Sequence, residues 1–153
     1  MLPAALVFLS AITLSQGCVP TSTVTTTKAC CAMLSTSTLP RVSPTYTGAE
    51  QCSILRRVSS TCPTDGIVVC DAADETNPTN IALQFFDGTT LVRTQSVTGS
   101  PASSVSVRVV CNNGVWQVPT SKGATTYDTI TSVSCSQSGS QGYDAGYVTG
   151  TAD

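Results

Sequence analysis

The stretch Ser104–Pro119, SVSVRVVCNNGVWQVP, constrains the fold more than any other part of the chain. Val105, Val107, Val109 and Cys111 alternate with Ser104, Ser106 and Arg108. Successive side chains of a strand point to opposite sides, so this alternation describes a strand with one buried face. Asn113-Gly114 follows, and a type I′ turn needs positive φ at both central residues, which Asn and Gly tolerate. Val115–Val118 then leads back. A two-residue loop sets Cys111 opposite Trp116 and Val109 opposite Val118, all on the buried face. The only tryptophan is therefore expected in the core beside a cysteine, not on a sugar-stacking or partner-binding surface.

The rest of the chain carries weaker strand signals. Ile81, Leu83 and Phe85 alternate with Ala82, Gln84 and Phe86 before Asp87-Gly88, a second turn signal, and Thr89–Val97 returns. That register puts Leu83 opposite Val92. Cys62–Gly66 reads as a turn and Ile67–Cys70 as a short buried strand. Cys52–Ser59 fits a strand or one helical turn, and Tyr127–Cys135 a last strand. Pro40, Pro44 and Gly48 break any periodicity in Ala32–Gln51, which is expected to be a long irregular loop tied at both ends. The expectation is an all-β fold, a small disulfide-stapled antiparallel sandwich with an irregular N-terminal loop region.

Leu2–Leu14 is a continuous apolar run, shorter than the roughly 20 residues of a spanning helix. Small residues at Ser15 and Gly17 follow, so residues 1–17 read as a signal peptide cleaved before Cys18. No Lys or Arg precedes the run, which is atypical, and Ser15 stands where a lipoprotein box wants leucine. The mature chain is expected to be secreted, with no membrane contact after signal removal. Residues 18–29 form a Thr-rich leader open to O-glycosylation, and residues 137–153 a disordered Gly/Ser-rich tail.

Export governs the reading of the cysteines. Outside the cell thiols oxidise, and an even count implies a disulfide framework of Cys18, Cys30, Cys31, Cys52, Cys62, Cys70, Cys111 and Cys135. No Cys-x-x-Cys pair and no histidine is available for a zinc site. Adjacent Cys30 and Cys31 should reach different partners, because the small ring joining them is strained. Cys111 and Cys135 both end valine-bearing strand runs, separated by one hairpin and one connection, and Cys111–Cys135 is the favoured pair.

The pattern resembles the six-cysteine extracellular ("C-six") domain abundant in nematode secreted proteins. The likeness rests on Cys30-Cys31-Ala32, Cys52, Cys62 and Cys70, then Val107–Trp116 and Ile130–Cys135, and spans about residues 30–136. It implies an extracellular domain of unestablished molecular function and carries over no catalytic residue. It gives six positions to one of Cys30 and Cys31 with Cys52, Cys62, Cys70, Cys111 and Cys135. It also implies a bridge from Cys30 or Cys31 to Cys62, leaving Cys18 for a local bridge into the adjacent pair. The Cys-x-x-Gly-x-Trp segment before a final bonded cysteine is similar to sushi-type modules as well.

Candidates for chemistry are few. The chain lacks histidine, the usual general base and the commonest transition-metal ligand. A net charge of −2 with scattered Lys and Arg argues against a nucleic-acid partner. Asp71, Asp74, Glu75 and Asn77 share one loop with oxygens suited to calcium, but the spacing is not that of an EF-hand, and a solvated loop explains them. Asp65, Asp71, Asp87 and Asp128 are available for a carboxylate pair, although Asp65 and Asp87 have sufficient work as turn formers. A serine nucleophile would need Lys28 or Lys122 as base, and neither lies in a recognisable motif. Arg56-Arg57 reads as a solvated basic pair. The chain is expected to be no enzyme, to need no cofactor or metal, and to bind an unknown extracellular protein or glycan. The alternative is a secreted protease inhibitor presenting Ala32–Gln51.

Overall fold

A computed structural model describes residues 28–45, 50–58 and 60–139. The expected signal peptide, most of the expected Thr-rich leader, and residues 140–153 of the expected tail lie outside the described residues. Among the described residues nine strands run in order: β1 (Glu50–Gln51), β2 (Ser53–Val58), β3 (Asp65–Asp71), β4 (Asn80–Asp87), β5 (Thr90–Thr98), β6 (Ser104–Asn112), β7 (Val115–Pro119), β8 (Tyr127–Thr129) and β9 (Ser132–Ser138). No helix occurs among the described residues. The strands form a four-stranded sheet, β1-β9-β4-β5, and a five-stranded sheet, β2-β3-β6-β7-β8. Every strand pair is antiparallel.

The inner faces of the two sheets share one core. Ile81, Leu83 and Phe85 of β4 and Val133 and Cys135 of β9 meet Val68 and Cys70 of β3, Val105, Val107 and Val109 of β6, and Trp116 and Val118 of β7. Removing each such side chain from water contributes about 1.5–3 kcal/mol. The β6–β7 hairpin forms with the expected turn: Cys111 pairs with Trp116, and Asn113 and Gly114 take φ of 50° and 84°, but the expected Val109–Val118 pair is absent, because β7 pairs with β6 only over Val110–Asn112.

Six further expectations need correction. In the β4–β5 hairpin Asp87 pairs with Thr90, so Gly88-Thr89 is the loop and not Asp87-Gly88. A bulge between Phe85 and Phe86 then shifts the register, and Leu83 faces Gln95, not Val92. Ile67–Cys70 is not buried on both sides, since β3 sits mid-sheet with Val68 and Cys70 inward and Ile67 45% exposed outward. Asp65 and Gly66 belong to this strand, not to a turn. Tyr127–Cys135 is two strands in different sheets. Between them the Ile130 N–H donates to the Trp116 carbonyl of one sheet, and the Thr131 N–H donates to the Phe86 carbonyl of the other. Finally, Gln137 and Ser138 extend β9 beyond the expected end of the domain.

The segment before β1 is irregular, as its prolines require, but it is packed. Leu34 and Leu39 are buried in the core, and the Val42 N–H donates to the Val133 carbonyl. Its last described residue, Thr45, is held by the Gln84 side chain, which accepts from the Thr45 N–H at 3.1 Å. That contact gives a buried amide on β4 its partner.

Candidate functional site

Three disulfides form among the described residues, and one of them, between β3 and β9, joins the two sheets. Cys30 is bonded to Cys62, Cys31 to Cys111, and Cys70 to Cys135. The adjacent pair does reach two partners, one of them Cys62. The favoured Cys111–Cys135 bridge does not form. Cys111 lies beside the incoming N-terminal segment at one end of β6, whereas Cys135, mid-strand in the opposite sheet, faces Cys70 across the core with Cα atoms 5.5 Å apart. Cys30 and Cys31 are both taken, which leaves neither for the bridge expected from Cys18, a residue outside the described ones. Cys52 is buried with its sulfur 3.3 Å from that of Cys135 and 3.6 Å from that of Cys70. Two members of this sulfur cluster are already joined covalently, so it is built as a core staple.

The sequence candidates for catalysis and metal binding are not brought together. Asp65 and Asp71 stand at opposite ends of β3, ~20 Å apart at the usual rise of a strand. Asp87 closes a hairpin in the other sheet. The Asp71–Asn77 loop is organised by Gln137, whose side-chain oxygen accepts from the Ala73 N–H at 2.8 Å and whose amide donates to Thr76 Oγ1 at 2.9 Å. Asp74 and Glu75 project into solvent. Among the described residues no three carboxylates converge. Lys28 and Lys122 line different grooves. Trp116 is core, 6% exposed, with its indole N–H donating to the Ala32 carbonyl. Arg56 and Arg57 point to opposite sides of β2: Arg56 Nε donates to the Leu39 carbonyl at 3.0 Å, while Arg57 is exposed. Burial lowers the pKa of Arg56, and the neighbouring Arg41 charge lowers it further.

The feature with the chemistry of recognition is the outer face of the five-stranded sheet. Alternation that buries Val68, Val109 and Val118 turns their neighbours outward. Leu55 pairs with Val69, and a second row runs Arg57–Ile67–Arg108 across β2, β3 and β6. A third runs Asp65–Val110–Gln117–Thr129 across β3, β6, β7 and β8. Arg108 forms an ion pair with Asp65 diagonally between the rows. Beside that pair lies an open groove of about 340 Å³, bordered by Lys28, Asn112, Gln117 and Tyr127. Planar amides, an ion pair and an exposed aromatic ring offer hydrogen bonds and an apolar platform side by side. The sequence carried this signal as the outward half of each alternating strand. Which outward halves share a face required the strand order.

The fold and the disulfides define a small all-β, disulfide-rich domain. Comparison with models of protein families, with curated proteins and with solved structures gave no match.

Proposed function

We propose that this protein is exported, works outside the cell as a binding module, and meets an extracellular protein or a glycan with the outer face of its five-stranded sheet. One observation carries the reading. Of the seven exposed large apolar side chains among the described residues, four, Leu55, Ile67, Val115 and Tyr127, lie on that face. Exposed apolar side chains gathered on one face mark interaction sites, whereas scattered ones do not. Export is supported by the three disulfides, which persist in oxidising compartments, and by the apolar run that ends before Cys18. Kinship with the nematode six-cysteine domain rests on the cysteine spacing and the Val107–Trp116 hairpin. The inhibitor reading has less support, because residues 32–45 are anchored by Leu34, Leu39 and Val42 and so offer little exposed rigid loop.

The test is capture from the source organism's extracellular fluid, together with a glycan array, using the unaltered chain and the variants Ile67→Asp and Tyr127→Ala. Both positions are exposed, so both variants should fold. Loss of captured partner by about tenfold or more in either variant is expected, the usual effect of removing a contact worth over 1.4 kcal/mol. Equal capture by all three chains removes this face from consideration.

A further inference from the structure

A second cleft borders that face at Arg108, where the two sheets leave edges uncovered. β6 pairs with β3 along its whole length from Ser104 to Val110, but with β7 only from Val110 onward. β7 ends at Pro119, which has no N–H to continue the ladder. The chain then turns away in a loop closed by the Thr120 N–H donating to the Thr126 carbonyl. Among the described residues no strand pairs with β6 on its β7 side from Ser104 to Val109. The register says which groups are exposed there. Val110 and Asn112 face β7, whereas the Cys111 N–H donates to Thr64 on the opposite side. By the same alternation the N–H and C=O groups of Ser104, Ser106 and Arg108 turn toward the bare side. Across the gap stands β5, the edge strand of the other sheet. Between them opens a cleft of about 430 Å³.

The lining is cationic. Arg93, Arg108 and Lys122 border the cleft and, among the described residues, no Asp or Glu does. Arg93 is 92% buried, taking its 8% exposure from the whole, and its guanidinium donates only to neutral acceptors, the Pro119 carbonyl at 2.7 Å and Gln95 Oε1 at 3.0 Å. Lys122 has no carboxylate partner among the described residues. Arg108, at the border with the outer face, is already paired to Asp65.

We propose that this cleft accepts an extended acidic peptide segment of a partner protein, which adds to the bare edge of β6 as a short strand and sets its carboxylates toward Arg93 and Lys122. Strand addition draws affinity from main-chain hydrogen bonds, and alternate side chains give specificity. Here the main-chain groups of Ser104, Ser106 and Arg108 supply the ladder. A bare length of six residues, Ser104–Val109, fits a segment of about that size. Carboxylates are the side chains that the uncompensated cations select, because charge-assisted hydrogen bonds are the stronger ones. This site meets the face assigned above at Arg108 but does not depend on that reading.

The full-length secreted chain is screened against a displayed library of random ten-residue peptides. Enrichment of Asp and Glu at alternate positions among β-branched residues is expected. The best peptide, bound to isotope-labelled protein, should slow exchange of the Ser104, Ser106 and Arg108 amides. Lys122→Glu, a change on an exposed loop, should weaken binding about tenfold, and so should replacing the peptide's Glu by Lys. Ile67→Asp should leave binding unchanged. Three results overturn the proposal. One is no enrichment, or enrichment of basic or proline-rich peptides. Another is an acidic heparin fragment that binds through Lys122 without protecting those three amides, which makes the cleft an anionic-glycan site. The third is displacement of the selected peptide at equal strength by a synthetic 140–153 peptide, which assigns the cleft to the chain's own C-terminal segment.

Discussion

The Trp116 indole N–H donates to the carbonyl of Ala32 at 2.8 Å, joining residues 84 positions apart. Ala32 follows Cys31, Cys31 is bonded to Cys111, and Cys111 is the cross-strand partner of Trp116. A covalent bond, a strand pair and a side-chain hydrogen bond therefore close one small circuit that docks the N-terminal segment onto the β6–β7 hairpin. Trp116→Phe keeps most of the apolar area but leaves the Ala32 carbonyl without this donor. A loss of about 1–3 kcal/mol is expected from the unsatisfied carbonyl, read as a lower urea midpoint at unchanged slope. Trp116→Ala should cost more, about 3–5 kcal/mol, because it also opens a cavity.

The three bridges differ in accessibility. Cys30 and Cys62 are both exposed, whereas Cys31, Cys111, Cys70 and Cys135 are each at most 4% exposed. Under mild reductant without denaturant, alkylation followed by peptide mapping should label Cys30 and Cys62 first. Peptide mapping before reduction should link Cys31 to Cys111 and Cys70 to Cys135. A Cys111–Cys135 peptide would contradict the structure.

Loop length ranks the same bridges. Replacing Cys31 and Cys111 by alanine removes a cross-link across a separation of 80 residues, for which the chain-entropy relation gives about 4.5 kcal/mol. Removing Cys30–Cys62, with a separation of 32, gives about 3.7 kcal/mol. The first variant also disturbs the core and should secrete less well and melt lower than the second, in a side-by-side thermal scan.

Gly66 sits where β3 passes closest to its neighbours. A Cβ there would lie 2.7 Å from Leu34 Cδ1 and 2.8 Å from the Arg57 carbonyl oxygen. The leucine tip can rotate; the backbone oxygen, fixed in the β2–β3 ladder, cannot. Gly66→Ala should therefore destabilise by about 1–3 kcal/mol, the usual cost of overpacking, and Leu34→Ala should not rescue it. Thermal melts of the single and double variants decide the point.

Gln137 is the buried clamp of the Asp71–Asn77 loop. Gln137→Leu keeps its volume but strands the Ala73 N–H, while Thr76 Oγ1 keeps only its donation to the Ala73 carbonyl, at a cost of about 1–3 kcal/mol for the unsatisfied amide. Amide exchange should quicken at Ala73 and Thr76 well before it does in β6. Uniform quickening would mean that the loop and the core open together.

The sequence by itself determined the class of fold and its best hairpin. Period-2 alternation records which side chains are inward, and Asn113-Gly114 records a turn; both are local properties of backbone and side chain, so the inward faces and the turn of Ser104–Pro119 were legible, but not that β7 leaves β6 after Gln117. The second hairpin was legible as a hairpin but not in register, because a bulge at Phe85/Phe86 leaves no mark in alternation. The unbroken pattern of Tyr127–Cys135 also hid its crossing between sheets. A residue buried by either sheet reads the same in sequence, and only the competing partners Trp116 and Phe86 reveal the switch at Ile130-Thr131. Disulfide choice was out of reach for a related reason. Which cysteines meet depends on strand order and on the packing of the segment before β1, and a one-dimensional pattern carries neither. The same holds for the two recognition surfaces. Outward residues of five strands become one face, and the bare edge of β6 becomes a cleft, only when tertiary structure decides which strands are neighbours and where β7 stops.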